Sequence, residues 1–410
     1  MKKNLFINIY SVLVFSLLSR IIASLYLSDT TIDMEWGKLI HNLSNHGVLG
    51  INVYDGISVK HAYAQLNEKV LPSVFMPPLY AYFIYFIKII SQSFLELVKI
   101  VIAIQIIISL LSAYIFFKIS TKFIEKKYSI LLTAIFSLYP ANILASVQIS
   151  SITLQIFLLL TYFYFFIEFS KKKTYLDLFF FSITAGFLIL IRGEFFIFNI
   201  LTLVYFLYPL KIKIKKILIS IFLTIILISP YLIRNYNNFN TIVLTKSFGY
   251  NLLKGNNPEA PAEGNSYFIE KKFEKSKIPI KIDNRYEINL DNFYKTKAIE
   301  LISNEPMRYL KLYFVKVISF TFLDFNSKYP NYYNLAHIVP KIVLSFFALL
   351  GAIVSLKQKS FFQYISLFYF GHIFFFSLFF ILPRYSIMLL PVHLILVLSL
   401  IIFFYKKKYK

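Results

Sequence analysis

Long apolar runs dominate this chain, and they are continuous rather than alternating. A run of about 17–25 apolar residues is long enough to cross a bilayer as a helix; alternation would mark the strands of a membrane barrel. The runs at 5–27, 97–118, 128–147, 150–169, 175–192, 194–210, 217–234, 338–356, 360–382 and 385–405 predict about ten spanning helices. Two further apolar stretches, 77–91 and 308–323, are shorter or carry interior lysines (Lys88, Lys311, Lys316). Both read as interfacial helices on the outer side. The predicted fold class is an all-α integral membrane protein; a twelve-span chain, with both stretches crossing, is the alternative.

The polar punctuation sets orientation. Lysine clusters at 118–127, 171–173, 211–216, 357–359 and 406–410 mark cytoplasmic turns, because basic loops stay inside. The first run follows Met1-Lys2-Lys3-Asn4. It is too long for a signal peptide and lacks a small-residue cleavage site, so it reads as a retained helix. Two long outer loops result, 28–96 and 235–306. In the second, 251–282 is rich in Asn, Gly, Pro and Lys and reads as loop. Tyr286 to Asn304 reads as helix: Tyr286, Leu290, Phe293, Tyr294, Ala298, Leu301 and Ile302 share one face, and Pro306 marks its end. The predicted organisation is a transmembrane module over 1–234 that includes the first loop, the second loop over 235–306, and a C-terminal part over 307–410 with an interfacial helix and further spans.

Composition changes the picture mainly by exclusion. Of 410 residues, 58% are hydrophobic and 15% charged, against about 25% charged in soluble domains. A soluble enzyme, a secreted module and a disordered chain are excluded. A formal net charge of +23 would suggest nucleic acid, but the excess sits in the short lysine clusters, so no nucleic-acid partner is expected. With no cysteine there is no disulfide framework, thiol nucleophile or thiolate metal site.

Polar groups within or beside apolar runs are costly and need an account. Arg20 lies inside the first helix, where snorkelling to the outer interface would accommodate it. Arg192-Gly193-Glu194 interrupts an apolar run; it is either a plain turn with its own ion pair or an anion site. Arg234 ends a helix at the outer face, and Arg384 sits in Pro383-Arg384-Tyr385. These four arginines collect on the side where positive charge should be scarce. Phosphate at the outer leaflet would explain them, because the guanidinium fork binds its oxygens in pairs. Anchoring to anionic lipid heads is the plainer alternative. The first loop opens with Asp29, Asp33 and Glu35 at the membrane boundary. Partial desolvation there raises a carboxyl pKa and suits a general base, although surface acids are common. His41, His46 and His61 share that loop without metal-site spacing. The sequence has no P-loop, GxSxG or strand-linked GxGxxG. His372 and His393, in apolar runs, fit core roles.

Several short segments, in order, resemble those of the C-fold (GT-C) membrane glycosyltransferases that use polyprenyl-phosphate sugars, in particular bacterial relatives of protein O-mannosyltransferases and of the lipid A aminoarabinose transferase. They are Asp33 in the first loop, Phe75-Met76-Pro77-Pro78-Leu79-Tyr80, Ser137-Leu138-Tyr139-Pro140, Ala185 through Arg192-Gly193-Glu194, Pro230 through Asn235, Gly249-Tyr250-Asn251-Leu252 with Gly255-Asn256-Asn257-Pro258, the helix before Pro306 with the stretch after it, and Pro383-Arg384-Tyr385. The resemblance implies a GT-C-like fold, with Asp33 as catalytic base or metal-site residue and Glu35 as its backup. It implies donor-phosphate binding by Arg192, Arg234 and Arg384, with Lys60 and Lys69 as further candidates. Tyr250, Asn256 and Asn257 would shape the acceptor side. Many relatives carry a second acid after the third span, where this chain reads Gln148-Ile149-Ser150-Ser151-Ile152-Thr153-Leu154-Gln155. That departure puts a two-carboxylate divalent-metal site in doubt, and metal-independent or weakly metal-dependent activity is expected.

The expected function is transfer of a sugar from a polyprenyl-phosphate donor to a glycan, lipid or protein acceptor outside the cytoplasmic membrane. A transporter or lipid-linked glycan flippase is an alternative, and it would call for repeats and mid-membrane helix breaks. An outer-face glycan polymerase or ligase is the other.

Overall fold

A computed structural model describes residues 8–32, 34–53, 69–91, 93–273, 278–324, 326–327, 335–358 and 361–408. The chain opens with α1 (Ile9–Tyr26), whose N-cap Asn8 accepts from the Ser11 amide. Then come α2 (Met34–His46) and an antiparallel ribbon of β1 (Gly50–Val53) and β2 (Lys69–Pro72), with Gly50 opposite Pro72. Helix α3 (Leu79–Ile90) starts at Pro78, and α4 (Phe94–Ser120) is capped by Ser93. Helices α5 (Lys126–Leu138) and α6 (Pro140–Val147) form one bent unit. Next are α7 (Ile152–Lys172), α8 (Tyr175–Ile191), α9 (Phe195–Leu207) and α10 (Ile214–Phe239). The second loop contains α11 (Phe248–Gly255), α12 (Ser266–Lys272) and α13 (Tyr286–Asn304) and leads into α14 (Pro306–Thr321). The chain closes with α15 (Leu335–Leu356), α16 (Phe361–Ser377), α17 (Pro383–Met388) and α18 (Leu390–Lys408).

Each predicted span falls on a helix or a helix pair. Among the described residues, five helices are long and apolar enough to cross a membrane (Ile9–Tyr26, Leu95–Ser120, Ile152–Lys172, Ile214–Phe239 and His337–Leu356), and α5 with α6 makes up to six if the bent pair is one span. The apolar helices α8 and α16 have 17 residues each, about 25 Å at 1.5 Å per residue, short of the ~30 Å hydrocarbon core. The chain is nearly all helical and multi-pass.

The structure departs from the sequence reading in three places. The β1–β2 ribbon stands where only helix and loop were expected; two four-residue strands separated by 54–68 are too short to show periodicity. The stretch 251–282, read as loop, holds most of α11 and all of α12. Arg20, read either as snorkelling to the outer interface or as one of four arginines available to an anion there, is fully buried. Pro140 explains its place. Proline lacks the amide that would bond the carbonyl four residues back and breaks the helix there, bending α5 against α6 by 53°. Asn142 Nδ2 bonds the freed Phe136 carbonyl at 2.9 Å, and Arg20 Nη1 donates to the Ser137 carbonyl at 2.9 Å. Arg20 also bonds Ser109 Oγ at 3.0 Å and Ser16 Oγ at 2.6 Å, so it ties α1 to α4 and α5.

The core is aromatic where α7, α9 and α16 meet. Phe166 stacks on Tyr364 at 4.2 Å, and Phe198 on His372 at 3.9 Å. Short hydrogen bonds cross between helices, Thr202 with Tyr364 and Ser182 with Ser220, both at 2.8 Å, as in membrane bundles. The lysine-rich turns gather at one end. There Glu168 pairs with Lys122 and, at 2.6 Å, with Lys172, while Lys216 bonds the Lys173 carbonyl.

Candidate active site

The opposite end of the bundle is built from turns that the resemblance singled out. Asp29, just after α1, accepts from the Ile149 amide at 2.6 Å, which fastens the first loop to the turn before α7. Tyr80 in α3 donates to Gln105 at 2.7 Å, and Gln105 donates to the Gln148 carbonyl at 2.8 Å, which fixes the same turn from α4. Pro383 occupies the first position of α17, where a missing amide costs nothing; Arg384 and Tyr385 follow in its first turn.

The second loop is pressed against this end through two glycines. A Cβ on Gly249 would lie 1.9 Å from the Asp291 carbonyl oxygen, and one on Gly255 would lie 1.9 Å from that of Phe379. Only glycine lets α11 pass between the α13 backbone and the turn before α17. Further bonds fix it there. The Ile381 amide donates to the Ala262 carbonyl at 3.0 Å, Asn256 Nδ2 to Leu378 at 2.8 Å, and the Tyr250 amide to Asp291 Oδ1 at 2.9 Å. Helix α11 thereby presents Tyr250, Asn251 and Lys254 to a cavity of about 500 Å³.

That cavity is where the charges converge. Arg192, Lys254 and Arg384 line it, with Glu194 as the one carboxylate among its described lining residues. Arg192 is the extended residue that ends α8. Its Nε lies 2.5 Å from Glu194 Oε1, and its guanidinium sits 5.4 Å from the Phe376 ring and 5.3 Å from that of Tyr385. Lys254 lies 4.4 Å from the Phe380 ring, and the Arg384 guanidinium 5.8 Å from that of Tyr385. Three cations against one carboxylate, on aromatic walls, suit an anion whose neighbouring portion is apolar. Ser150, Ser151 and Gln155, from the stretch that lacks the second acid, line the same wall. Its carboxylate, Glu194, is already paired with Arg192, so the described side chains do not fit a divalent cation. Among the described residues, no three His, Asp or Glu side chains group to hold a metal.

The structure brings together some of the predicted site residues. Arg192, Arg384 and Tyr250 line the cavity. Arg234 does not: it donates to the Ser73 carbonyl at 2.8 Å, the Leu49 carbonyl at 2.6 Å and Asn235 Oδ1 at 2.8 Å, which fastens the ribbon to α10. Asn256 and Asn257 are buried within the second loop. Lys316 Nζ donates to Asn256 Oδ1 at 2.9 Å, and Asn257 Nδ2 bonds the Leu253 and Asn265 carbonyls at 3.0 and 3.1 Å. Asp33 and Lys60 lie outside the described residues, as do the side chains of Glu35 and Lys69. Helix α2 begins directly after Asp33, and its Trp36 lines the cavity. Lys254 was not anticipated, because its helix was read as loop; the nearby Gly255-Asn256-Asn257-Pro258 was the available signal.

Comparison with solved structures agrees with this architecture. An oligosaccharyltransferase from Archaeoglobus fulgidus, solved tethered with an acceptor peptide containing the NVT sequon, superposes at a TM-score of 0.55 and 17% identity over 97% of this chain and 50% of its own. The fold is GT-C-like. The chain spans about half the length of that enzyme. ArnT from Cupriavidus metallidurans also matches. Bound to undecaprenyl phosphate it gives a TM-score of 0.42 at 11% identity, and in the apo state 0.38 at 12%; each match covers 94% of this chain and 77% of that one. The sequence matches no family model and no curated protein.

Proposed function

We propose that this chain is a membrane glycosyltransferase that moves a sugar from a polyprenyl-phosphate donor to an acceptor outside the cytoplasmic membrane. The observation that carries the reading is the convergence of Arg192, Arg384 and Lys254 on one aromatic-walled cavity at the end of the bundle away from the lysine-rich turns. The positive-inside rule makes the lysine end cytoplasmic, so the cavity opens on the outer side. Ten spans with α3 and α14 lying in the outer interface fit that orientation.

In this mechanism the donor phosphate lies against Arg192, Lys254 and Arg384, and its polyprenyl tail follows the apolar wall toward the lipid. Asp33, directly before α2, takes the proton of the acceptor hydroxyl as its oxygen attacks the anomeric carbon. The bond from that carbon to the phosphate oxygen breaks, and the polyprenyl phosphate leaves with its charge held by the three cations. A single displacement inverts the anomeric centre. The donor bond supplies the free energy.

The test is a mass profile of cell-surface glycans and glycolipids from a deletion strain carrying wild-type protein or Asp33→Asn at matched membrane levels. One defined sugar missing from the deletion and the Asp33→Asn strain, and present with wild type, is the expected result. A profile unchanged by the deletion contradicts the reading.

A further inference from the structure

A second cavity, of about 300 Å³, lies against the first and shares Phe75, Met76 and Tyr250 with it. Its floor is α13, and the proposed chemistry leaves it unused. Asp291, Tyr286 and Tyr294 line it and are each at least 97% buried. Asp291 Oδ1 accepts from the Tyr250 amide; Oδ2 has no hydrogen bond and forms a long ion pair with Lys246 Nζ at 3.9 Å. The hydroxyls of Tyr286 and Tyr294 also lack hydrogen-bond partners. Leaving a buried polar group without a hydrogen bond is costly. Three such groups around one cavity of ligand-binding size suggest a ligand that satisfies them.

The chemistry of the wall narrows the class. One carboxylate oxygen can accept a hydrogen bond from a hydroxyl, two phenols both donate and accept, and the rings of Phe75 and Tyr250, 5.9 Å apart, offer apolar faces. An uncharged ring bearing several hydroxyls matches this set. The charges on the wall are balanced, Lys38 and Lys246 against Glu287 and Asp291, so the cavity does not select an anion such as phosphate. The placement fits as well. Helix α2 starts directly after Asp33, with Trp36 on the first cavity and Lys38 and Leu39 on the second. The turn that follows the proposed base therefore borders both.

We propose that this second cavity is an acceptor subsite that binds a sugar ring, so that the acceptor is a glycan or a glycosylated carrier. This rests on the transferase reading above. The test uses the full chain in nanodiscs and saturation-transfer NMR with a panel of methyl hexosides, methyl 6-deoxyhexosides and methyl N-acetylhexosaminides, with a tripeptide and inorganic phosphate alongside. At least one glycoside should show transfer and the peptide none, and added phosphate, which carries no observable proton of its own, should leave the glycoside signal unchanged. Asp291→Asn should weaken that glycoside about tenfold or more, as expected for a hydrogen bond to a charged group, and Tyr294→Phe about two- to tenfold. Tyr294→Phe removes a hydroxyl that has no partner, so the free protein should melt no lower than wild type. The proposal fails if no glycoside binds, if both variants bind as wild type does, or if the peptide or phosphate competes for the site. Binding needs no donor, so the two readings separate. Glycoside binding lost in Asp291→Asn without any donor turnover keeps the subsite and rejects the transferase; donor turnover without glycoside binding does the reverse.

Discussion

Replacing Arg192 by glutamine removes one of the three cations at the proposed leaving phosphate, and the structure sets the size of the effect. The guanidinium is about four-fifths buried, lies over two aromatic rings and is paired with one carboxylate. Removing one pre-positioned donor from a developing oxyanion costs about 10²–10³ in turnover, and that is the loss expected here. Arg192→Lys keeps the charge but loses the fork, so it should fall between the two. The two ring contacts contribute about 0.5–1 kcal/mol each, so the thermal midpoint should drop only modestly. Arg234→Gln is the matched contrast. It takes the donor from the Ser73 carbonyl, at about 1–3 kcal/mol, and one of two donors from the Leu49 carbonyl, which keeps the Ser73 amide, and should lower the midpoint more than Arg192→Gln does. Its turnover per folded molecule should fall far less. The assay is release of polyprenyl phosphate by purified protein in proteoliposomes, normalised to folded protein. Full turnover by Arg192→Gln, with turnover abolished in a well-folded Arg234→Gln, would refute the geometric assignment.

Arg20→Met should lower the thermal midpoint by an amount worth about 1–3 kcal/mol, because the Ser137 carbonyl loses its donor; size-exclusion profiles and melting curves check this. Gly255→Ala should cost at least about 1–3 kcal/mol through overpacking against the Phe379 carbonyl, and a melting curve matching wild type would contradict the described packing. Burial raises the carboxyl pKa of Glu287 and of Asp291 above the ordinary 4.5 and 3.8, partly offset by hydrogen bonds from the Val74 amide and Ser73 in the first case and the Tyr250 amide in the second. The folded chain then holds protons that the unfolded chain has released. This contribution to stability is whole below the ordinary values and is lost as pH rises through the raised ones. Glu287→Gln with Asp291→Asn should flatten the fall in midpoint across that window. Turnover should persist in chelator, because the one described carboxylate at the cavity is engaged by Arg192; loss restored by Mn²⁺ or Mg²⁺ would contradict this.

What the sequence disclosed follows from the kind of signal each part carries. The apolar helices and the Tyr286–Asn304 helix were legible because hydrophobic length and a three-to-four spacing repeat over several turns. The Pro383-Arg384-Tyr385 turn was legible as well, because proline acts locally, whereas the bend at Pro140 between α5 and α6 falls inside what read as one run over 128–147. The β1–β2 ribbon and α11 were not, since four residues or two turns hold too little periodicity. Arg234 and Arg192 look alike in sequence, each ending a helix at the same side. Only the fold shows that backbone carbonyls take up one while the other faces a cavity. Lys254 was hidden for a related reason: its place depends on α11 passing between Asp291 and Phe379, a long-range contact that no local pattern encodes.

The measurement that tests the central claim most directly is donor consumption by the purified chain. Proteoliposomes would be loaded with a panel of polyprenyl-phosphate sugars and a glycan extract, and lipid products resolved by mass spectrometry. The account predicts that one donor is converted to polyprenyl phosphate with its sugar recovered on the glycan, and that Asp33→Asn stops this. Donors that stay intact across the panel, or that merely change leaflet, would contradict it.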